Sequence, residues 1–232
     1  MKKILLILFS FSLVFSCVEK ETETESNEQD NKKTIQTPKV IDTIYSDSSQ
    51  YIGEWKDGKR NGQGTHINAN GNKYVGEFNN NYPNGQGTYI DTNGNKYVGE
   101  WQNGQPNGKG TYTWEEGQYE GDKYEGEWQN GLHHGQGTYT WGSGTNKGDV
   151  YVGAFLNNKK TGFGTCNYAN GNIYVGEWKD GNSHGEGTFT TIDGRVREGL
   201  FENGEYIEEV LDSNLNIQDV ISDWDTVNLI NK

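Results

Sequence analysis

Three histidines, His133, His134 and His184, a second cysteine at Cys166, and a carboxylate that returns at Glu54, Glu77, Glu100, Glu127 and Glu177 are the side chains of this 232-residue chain that could do chemistry. Clustered histidines suit a metal, and paired carboxylates suit acid–base work. The spacing argues against both. His134 and His184 stand immediately before a Gly-x-Gly, the place that Asn61, Asn84 and Asn107 fill elsewhere, so they read as turn residues. The glutamates come once per unit of a periodic pattern, which suits a solvent-side or turn-binding role better than an isolated acid–base pair. Asp91-x-Asn93-x-Asn95 imitates the opening of a calcium loop, without the flanking helices or the closing Glu that such a loop needs. Gly108-Lys109-Gly110-Thr111 lacks the spacing and the following Ser or Thr of a phosphate loop. Cys166 takes the place filled by His66, Tyr89, Tyr112, Tyr139 and Phe189, has no recurring His or Asn beside it, and reads as small buried filler. No catalytic residue, metal or cofactor is expected.

The pattern that absorbs these residues is a repeat. Its phrase is Tyr-Val-Gly-Glu-Phe at Tyr74, and it starts at Tyr51, Tyr74, Tyr97, Tyr124, Tyr151 and Tyr174, with a worn seventh copy at Arg197. The spacings are 23, 23, 27, 27, 23 and 23 residues. A unit this short cannot bury its own face, so it must be read with its neighbours. Tyr51, Gly53 and Trp55 alternate with Ile52, Glu54 and Lys56, a period of two that predicts a strand. Asp57-Gly58 through Asn61-Gly62 supply turn residues, and Gly64-Thr65-His66-Ile67 supplies a return strand. Each repeat is thus expected to be one β-hairpin. Asn70-Gly71, Asn93-Gly94, Asn170-Gly171 and Asp193-Gly194 link one repeat to the next, either as a two-residue turn or as a three-residue loop with a bulge, the latter placing His66 and its equivalents beside the Tyr and Trp ladder. The strand glycines Gly53, Gly76, Gly99, Gly126, Gly153 and Gly176 are expected to make room for rings, interlocking aromatic and glycine from hairpin to hairpin. The four extra residues of the long repeats are expected to lengthen each strand by two and widen the sheet, so that Trp101, Tyr112, Trp114, Tyr119, Trp128, Tyr139 and Trp141 form a candidate binding surface mid-array.

These residues carry a resemblance. Tyr124-Glu-Gly-Glu-Trp-Gln-Asn-Gly-Leu-His-His-Gly-Gln-Gly137 resembles the MORN repeat consensus nearly position for position, and the likeness spans residues 51–205. The departures are Ala154 for Glu, Phe78 and Phe155 for Trp, and Asn80 and Asn158 for the first turn glycine. The resemblance and the pattern together give an all-β fold, an elongated single-layer antiparallel meander of stacked β-hairpin repeats with a short C-terminal capping helix.

The flanks divide the rest of the chain. Met1-Lys2-Lys3, the apolar run Ile4–Phe15 and Ser16 form a signal peptide over residues 1–16. Val14-Phe15-Ser16-Cys17 resembles a bacterial lipobox, which makes Cys17 the lipidated first residue of the mature chain. Residues 17–50 are polar, acidic at first, and expected to be a disordered tether, with Val40–Tyr45 able to add a short strand. The array runs over residues 51–205. Residues 206–232 form a C-terminal cap in which Ile217, Val220, Ile221, Trp224 and Val227 fall at helical spacing, with Asp219, Asp223 and Asp225 on the polar side.

Charge narrows the partners. The full chain carries a net charge of −13, and loss of the signal peptide leaves 18 basic against 33 acidic side chains. Phosphate backbones are held by Lys and Arg, so no nucleic-acid partner is expected, and an acidic body is repelled from anionic lipid. The MORN resemblance implies protein binding, dimerisation and membrane association. The expectation is therefore a non-enzymatic, lipid-anchored envelope scaffold presenting an aromatic β-surface to a protein or glycan, with a homodimer open. Phospholipid binding by the array, and an accessory module of a lipid-modifying enzyme without its own catalytic domain, are the alternatives. The place is the bacterial cell envelope, at the outer membrane, either surface-exposed or on the periplasmic side.

Overall fold

The computed structural model describes residues 39–208, and these form one open sheet of 15 antiparallel strands in strict sequence order. The signal peptide, Cys17, most of the tether and the C-terminal helix expected over residues 216–227 lie outside the described residues. Strand β1 (Lys39–Ile44) precedes the repeats and pairs with β2 (Gln50–Lys56), Ile41 lying opposite Gly53. Part of the segment read as tether is therefore strand.

Seven hairpins follow: β2 with β3 (Lys59–Ile67), β4 (Lys73–Asn79) with β5 (Tyr82–Ile90), β6 (Lys96–Gln102) with β7 (Gln105–Thr113), β8 (Lys123–Gln129) with β9 (Leu132–Thr140), β10 (Val150–Leu156) with β11 (Lys159–Asn167), β12 (Ile173–Lys179) with β13 (Asn182–Thr190), and β14 (Val196–Glu202) with β15 (Glu205–Glu208). The worn seventh copy keeps the register, with Gly199 opposite Gly187.

Inside a hairpin the turn is tighter than the sequence suggests. Asp57 and Gly58 alone make it, with φ of 50° and 72°, the pair of left-handed residues that matches the twist of the flanking strands. Asn81, not Asn80, takes the place of Gly58, and it accepts a φ of 77° because asparagine tolerates that region. Asn61-Gly62 is not turn but bulge. Gly53 faces Gly64 and Trp55 faces Arg60, so β3 carries two more residues than β2 across this gap. Gly62 adopts φ 76° there, and the Glu54 carboxylate lies over it, accepting the Gln63 N–H at 3.1 Å. Glu77, Glu100 and Glu127 do the same for Gln86, Lys109 and Gln136. The recurrent glutamate is thus a clamp on an otherwise unpaired backbone group.

Between repeats the link is a three-residue loop. Asn68 N–H bonds Asn72 O and Gly71 N–H bonds Asn68 O, both at 2.9 Å, with Gly71 left-handed at φ 89°. Asp91-x-Asn93-x-Asn95 is the same loop, its Asp91 carboxylate taken by the N–H groups of Asn93 and Asn95. The residue ahead of each tyrosine's strand then reaches one repeat further: Asn72, Asn95, Asp122, Asp149 and Asn172 each accept a backbone N–H of the following loop at 2.8–3.2 Å.

The long repeats do not widen the sheet. β6 to β9 keep the seven- and nine-residue lengths of their neighbours, and the extra residues enter the links Trp114–Asp122 and Trp141–Asp149, each closed by one backbone bond of 3.0 Å between its ends. A four-residue insertion preserves which face each side chain takes whether it lengthens strands or a loop, and Gly117, Gly121, Gly144 and Gly148, all at positive φ, make the loop the easier route. The two loops lean on each other: a Cβ on Gly142 would lie 1.9 Å from the Gly121 carbonyl carbon.

Candidate functional site

Every repeat sends its tyrosine to the same face, and that ring folds back over its own hairpin. A Cβ on Gly87 would lie 2.2 Å from the Tyr74 hydroxyl oxygen, and one on Gly76 would lie 2.5 Å from Gly87 Cα, so both strands must be glycine where the ring crosses. Glycine and ring interlock within a hairpin, and this corrects the expected interlock between hairpins. The hydroxyl then donates to the carbonyl three residues on, Tyr74 to Glu77 at 3.0 Å, and the arrangement recurs from Tyr51 to Tyr174. Burial pushes the Tyr51 and Tyr174 hydroxyls up to about 12 and the tyrosines between them higher still, so these phenols are neutral structural donors.

What joins hairpins is the other aromatic. From Phe78 to Trp178 each large aromatic meets the tyrosine of its own repeat and the tyrosine of the repeat before, while Trp55 meets Tyr51 and Phe201 meets Tyr174, all edge to face, with ring centroids 4.9–5.4 Å apart and planes 76–89° apart. The result is one unbroken column from Trp55 to Phe201. Each such pair contributes about 0.5–1.5 kcal/mol beyond area burial. Trp101, Trp128 and Trp178 fasten their indole N–H to the carbonyls of Gly87, Gly110 and Gly164 at 3.1–3.2 Å.

A second row stands beside the column, opposite the tyrosines: His66, Tyr89, Tyr112, Tyr139, Cys166 and Phe189. Cys166 is therefore core filler, and burial raises its thiol pKa. Asp122, 2% exposed, accepts the Tyr139 hydroxyl at 2.5 Å, while the equivalent Asn72 donates its amide to the Tyr89 hydroxyl at 2.7 Å.

The column's cover is the part that varies. It comes from the second residue after each hairpin turn, which is Arg60, Pro83, Pro106, His133, Lys160 and Ser183 in successive repeats. Arg60 lays its guanidinium over the rings of Tyr51 and Phe78. His133 stacks on Tyr124 at 3.7 Å, and burial pulls its imidazole down to about 4. Lys160 sets its ammonium 3.9 Å from the Trp178 ring centre, and burial lowers its pKa. Ser183 is itself buried. Pro83 and Pro106 put a short uncharged ring at this place, and a groove of about 390 Å³ opens between them and the walls Tyr89 and Tyr112, floored by Trp101 and Trp128.

Of the aromatic residues singled out in the sequence, Trp101, Tyr112 and Trp128 line this groove. Trp114 and Trp141 do not extend the sheet: they open the two long loops and pack at 4.5 Å on Tyr112 and 4.6 Å on Tyr139, with Trp114 also 6.3 Å from the exposed Tyr119. Pro83, Pro106 and Tyr89 were not among those residues. The signal of Pro83 and Pro106 is a difference between repeats at one aligned position, while Tyr89 stands where Tyr112 and Tyr139 do. His134 and His184 sit at the bulges, and among the described residues no three His, Cys, Asp or Glu side chains gather as a metal site. No helix among the described residues is long and apolar enough to cross a membrane.

No curated protein sequence matches the chain. Among solved structures it is similar to the SAS-4 TCP domain of Drosophila melanogaster in complex with a proline-rich motif of Ana2, at 10% identity and a TM-score of 0.38, covering 70% of this chain and 90% of that one. It is also similar to a catalytically inactive virginiamycin B lyase from Staphylococcus aureus with quinupristin, at 16% identity and a TM-score of 0.18, covering 72% of this chain and 57% of that one. The MORN repeat model matches six consecutive segments, residues 51–73, 74–96, 97–122, 124–146, 151–173 and 174–194, each opening on a tyrosine of the buried column, and the chain belongs to the MORN-repeat family.

Proposed function

We propose that this chain is a non-enzymatic scaffold of the bacterial envelope that holds a protein or glycan partner on the aromatic face of its sheet, tethered through a lipid on Cys17. MORN repeats are generally membrane- or protein-binding modules. The observation that supports this reading is the groove at repeats two and three, where proline takes the cover position between the walls Tyr89 and Tyr112. Aromatic surface of this kind offers large contact area with few rotors. The rest of the chemistry supports binding over catalysis, because the tyrosines, glutamates and Cys166 are each committed to a structural bond or to packing.

Two experiments test it. Photo-crosslinking of intact envelopes with wild-type protein and with the Tyr89→Ala/Tyr112→Ala variant should recover a partner only with the former, the circular dichroism of the two being alike; equal recovery sinks the groove as the site. Cys17→Ala should remove lipid labelling and shift the chain from membrane to soluble fractions, and a variant that stayed on the membrane would end the anchoring proposal.

A further inference from the structure

The molecule itself shows what its ring column accepts. In repeat one the guest is the guanidinium of Arg60, 5.6 Å from the Tyr51 ring centre and 5.4 Å from that of Phe78. In repeat five it is the ammonium of Lys160, at 3.9 Å from Trp178, 5.4 Å from Tyr151 and 5.3 Å from Trp141. Each cation is delivered from the same register position and lands on the tyrosine of its own repeat and the aromatic of the next. The strands at Pro83 and Pro106 have that register too, Pro83 facing Phe78 and Pro106 facing Trp101 as Lys160 faces Phe155. Tyr74 with Trp101, and Tyr97 with Trp128, are therefore the same ring pairs with a proline in place of the cation. All four rings line the groove.

We infer that this groove, taken as the binding face proposed above, receives two cationic side chains of a basic peptide from a protein partner. The attraction is that of a cation for the negative face of an aromatic ring, and it strengthens as the site excludes water. No lysine or arginine lines the groove to oppose it. Asp91 stands close enough to Tyr89 and Tyr112 to raise both phenol pKa values, which puts a negative charge beside the groove walls. The chain's net charge of −13 steers a basic partner inward. The spacing of the two receptors selects the peptide. They are one hairpin apart, two strand separations or about 9.6 Å. In a polyproline II peptide, residues i and i+3 point the same way and lie about 9.3 Å apart. An Arg-x-x-Arg segment running along the array would place one guanidinium in each.

The test uses the full chain and a labelled Pro-Arg-Pro-Pro-Arg-Pro peptide, read by fluorescence anisotropy. Saturable one-to-one binding is expected, at least tenfold weaker when citrulline replaces both arginines. In Pro83→Lys/Pro106→Lys the two lysines should lie over the column as Lys160 does, and binding should fall at least tenfold with the melting temperature kept. Gln86→Lys/Gln102→Lys, which adds the same charge on the opposite face, should bind within threefold of wild type. Equal affinity for the citrulline peptide, or binding undiminished by Pro83→Lys/Pro106→Lys, overturns the inference. Tighter binding to phosphatidylcholine vesicles than to the peptide also overturns it, since the cation would then be a lipid choline. Should the peptide fail while Tyr89→Ala/Tyr112→Ala still abolishes partner crosslinking, the groove remains the site and only its cationic ligand is lost.

Discussion

Repeats two and three and repeats four and five share one backbone and differ in one lid. In both halves the carbonyl of the cover residue accepts an N–H from the next hairpin's turn, Pro83 from Gly104 at 2.9 Å and His133 from Asn158 at 3.1 Å. The main chain is therefore pinned whatever the side chain is. Pro83 and Pro106 leave a groove along the rings, while His133 and Lys160 close over them. The difference teaches that this architecture separates two tasks which globular cores usually merge. Glycine, tyrosine and the large aromatic hold the sheet, and the cover position, with the second row beside it, decides what the sheet shows.

If that separation is right, glycine substitutions must hurt both halves alike. Gly99→Ala in the open half and Gly126→Ala in the closed half place a Cβ 2.4 Å and 2.6 Å from the facing glycine Cα. Each should cost about 3 kcal/mol or more in urea titrations, the upper end of overpacking. A large disparity between them would break the comparison. The next effect belongs to the closed half alone. Buried His133 titrates near 4, below the ordinary 6.5, so the unfolded chain takes up a proton that the folded chain refuses as the pH drops between these values. Stability is full above pH 6.5 and is lost on acidification, by about 3 kcal/mol once below 4 at 1.36 kcal/mol per pKa unit. His133→Ser should flatten that part of the pH profile, and Pro106→Ser should not. Lys160→Met keeps the stem and drops the charge, and a loss of about 1 kcal/mol is expected from the missing cation–π contact. The smallest effect is a gain. Ala154 stands where other repeats have the clamping glutamate, so Ala154→Glu should bond the Phe163 N–H and add about 0.5–1 kcal/mol, visible as a raised melting temperature.

The hairpins were legible in the sequence because tyrosine, glycine and tryptophan recur with a period of two inside a period of 23 or 27. Face assignment followed from that alternation, and Tyr51 with His66 did end on one side. The turn boundaries were not legible. Asn61-Gly62 and Asp57-Gly58 both ask for left-handed backbone, and a bulge and a turn satisfy that demand equally. The long repeats misled for a similar reason, since parity fixes which face a residue takes without saying whether four extra residues lengthen a strand or a loop. The groove was not legible, because it rests on residues that do not recur. Tyr74 and Gly76 have counterparts in the other repeats, while Arg60, Pro83, Pro106, His133 and Lys160 share one position without sharing a chemistry.

The strict strand order has a mechanical corollary. With β1 at one edge of the sheet and β15 at the other, tension applied through the two termini loads the ladder like a zipper, a few hydrogen bonds at a time. Each 23-residue repeat that peels away converts about 10 Å of sheet into a strand of extended chain, lengthening the molecule by roughly 65–75 Å. Held between an anchor and a partner, such a chain would yield stepwise at low force and rewind when slack, a spring whose unit of travel is written into the repeat length.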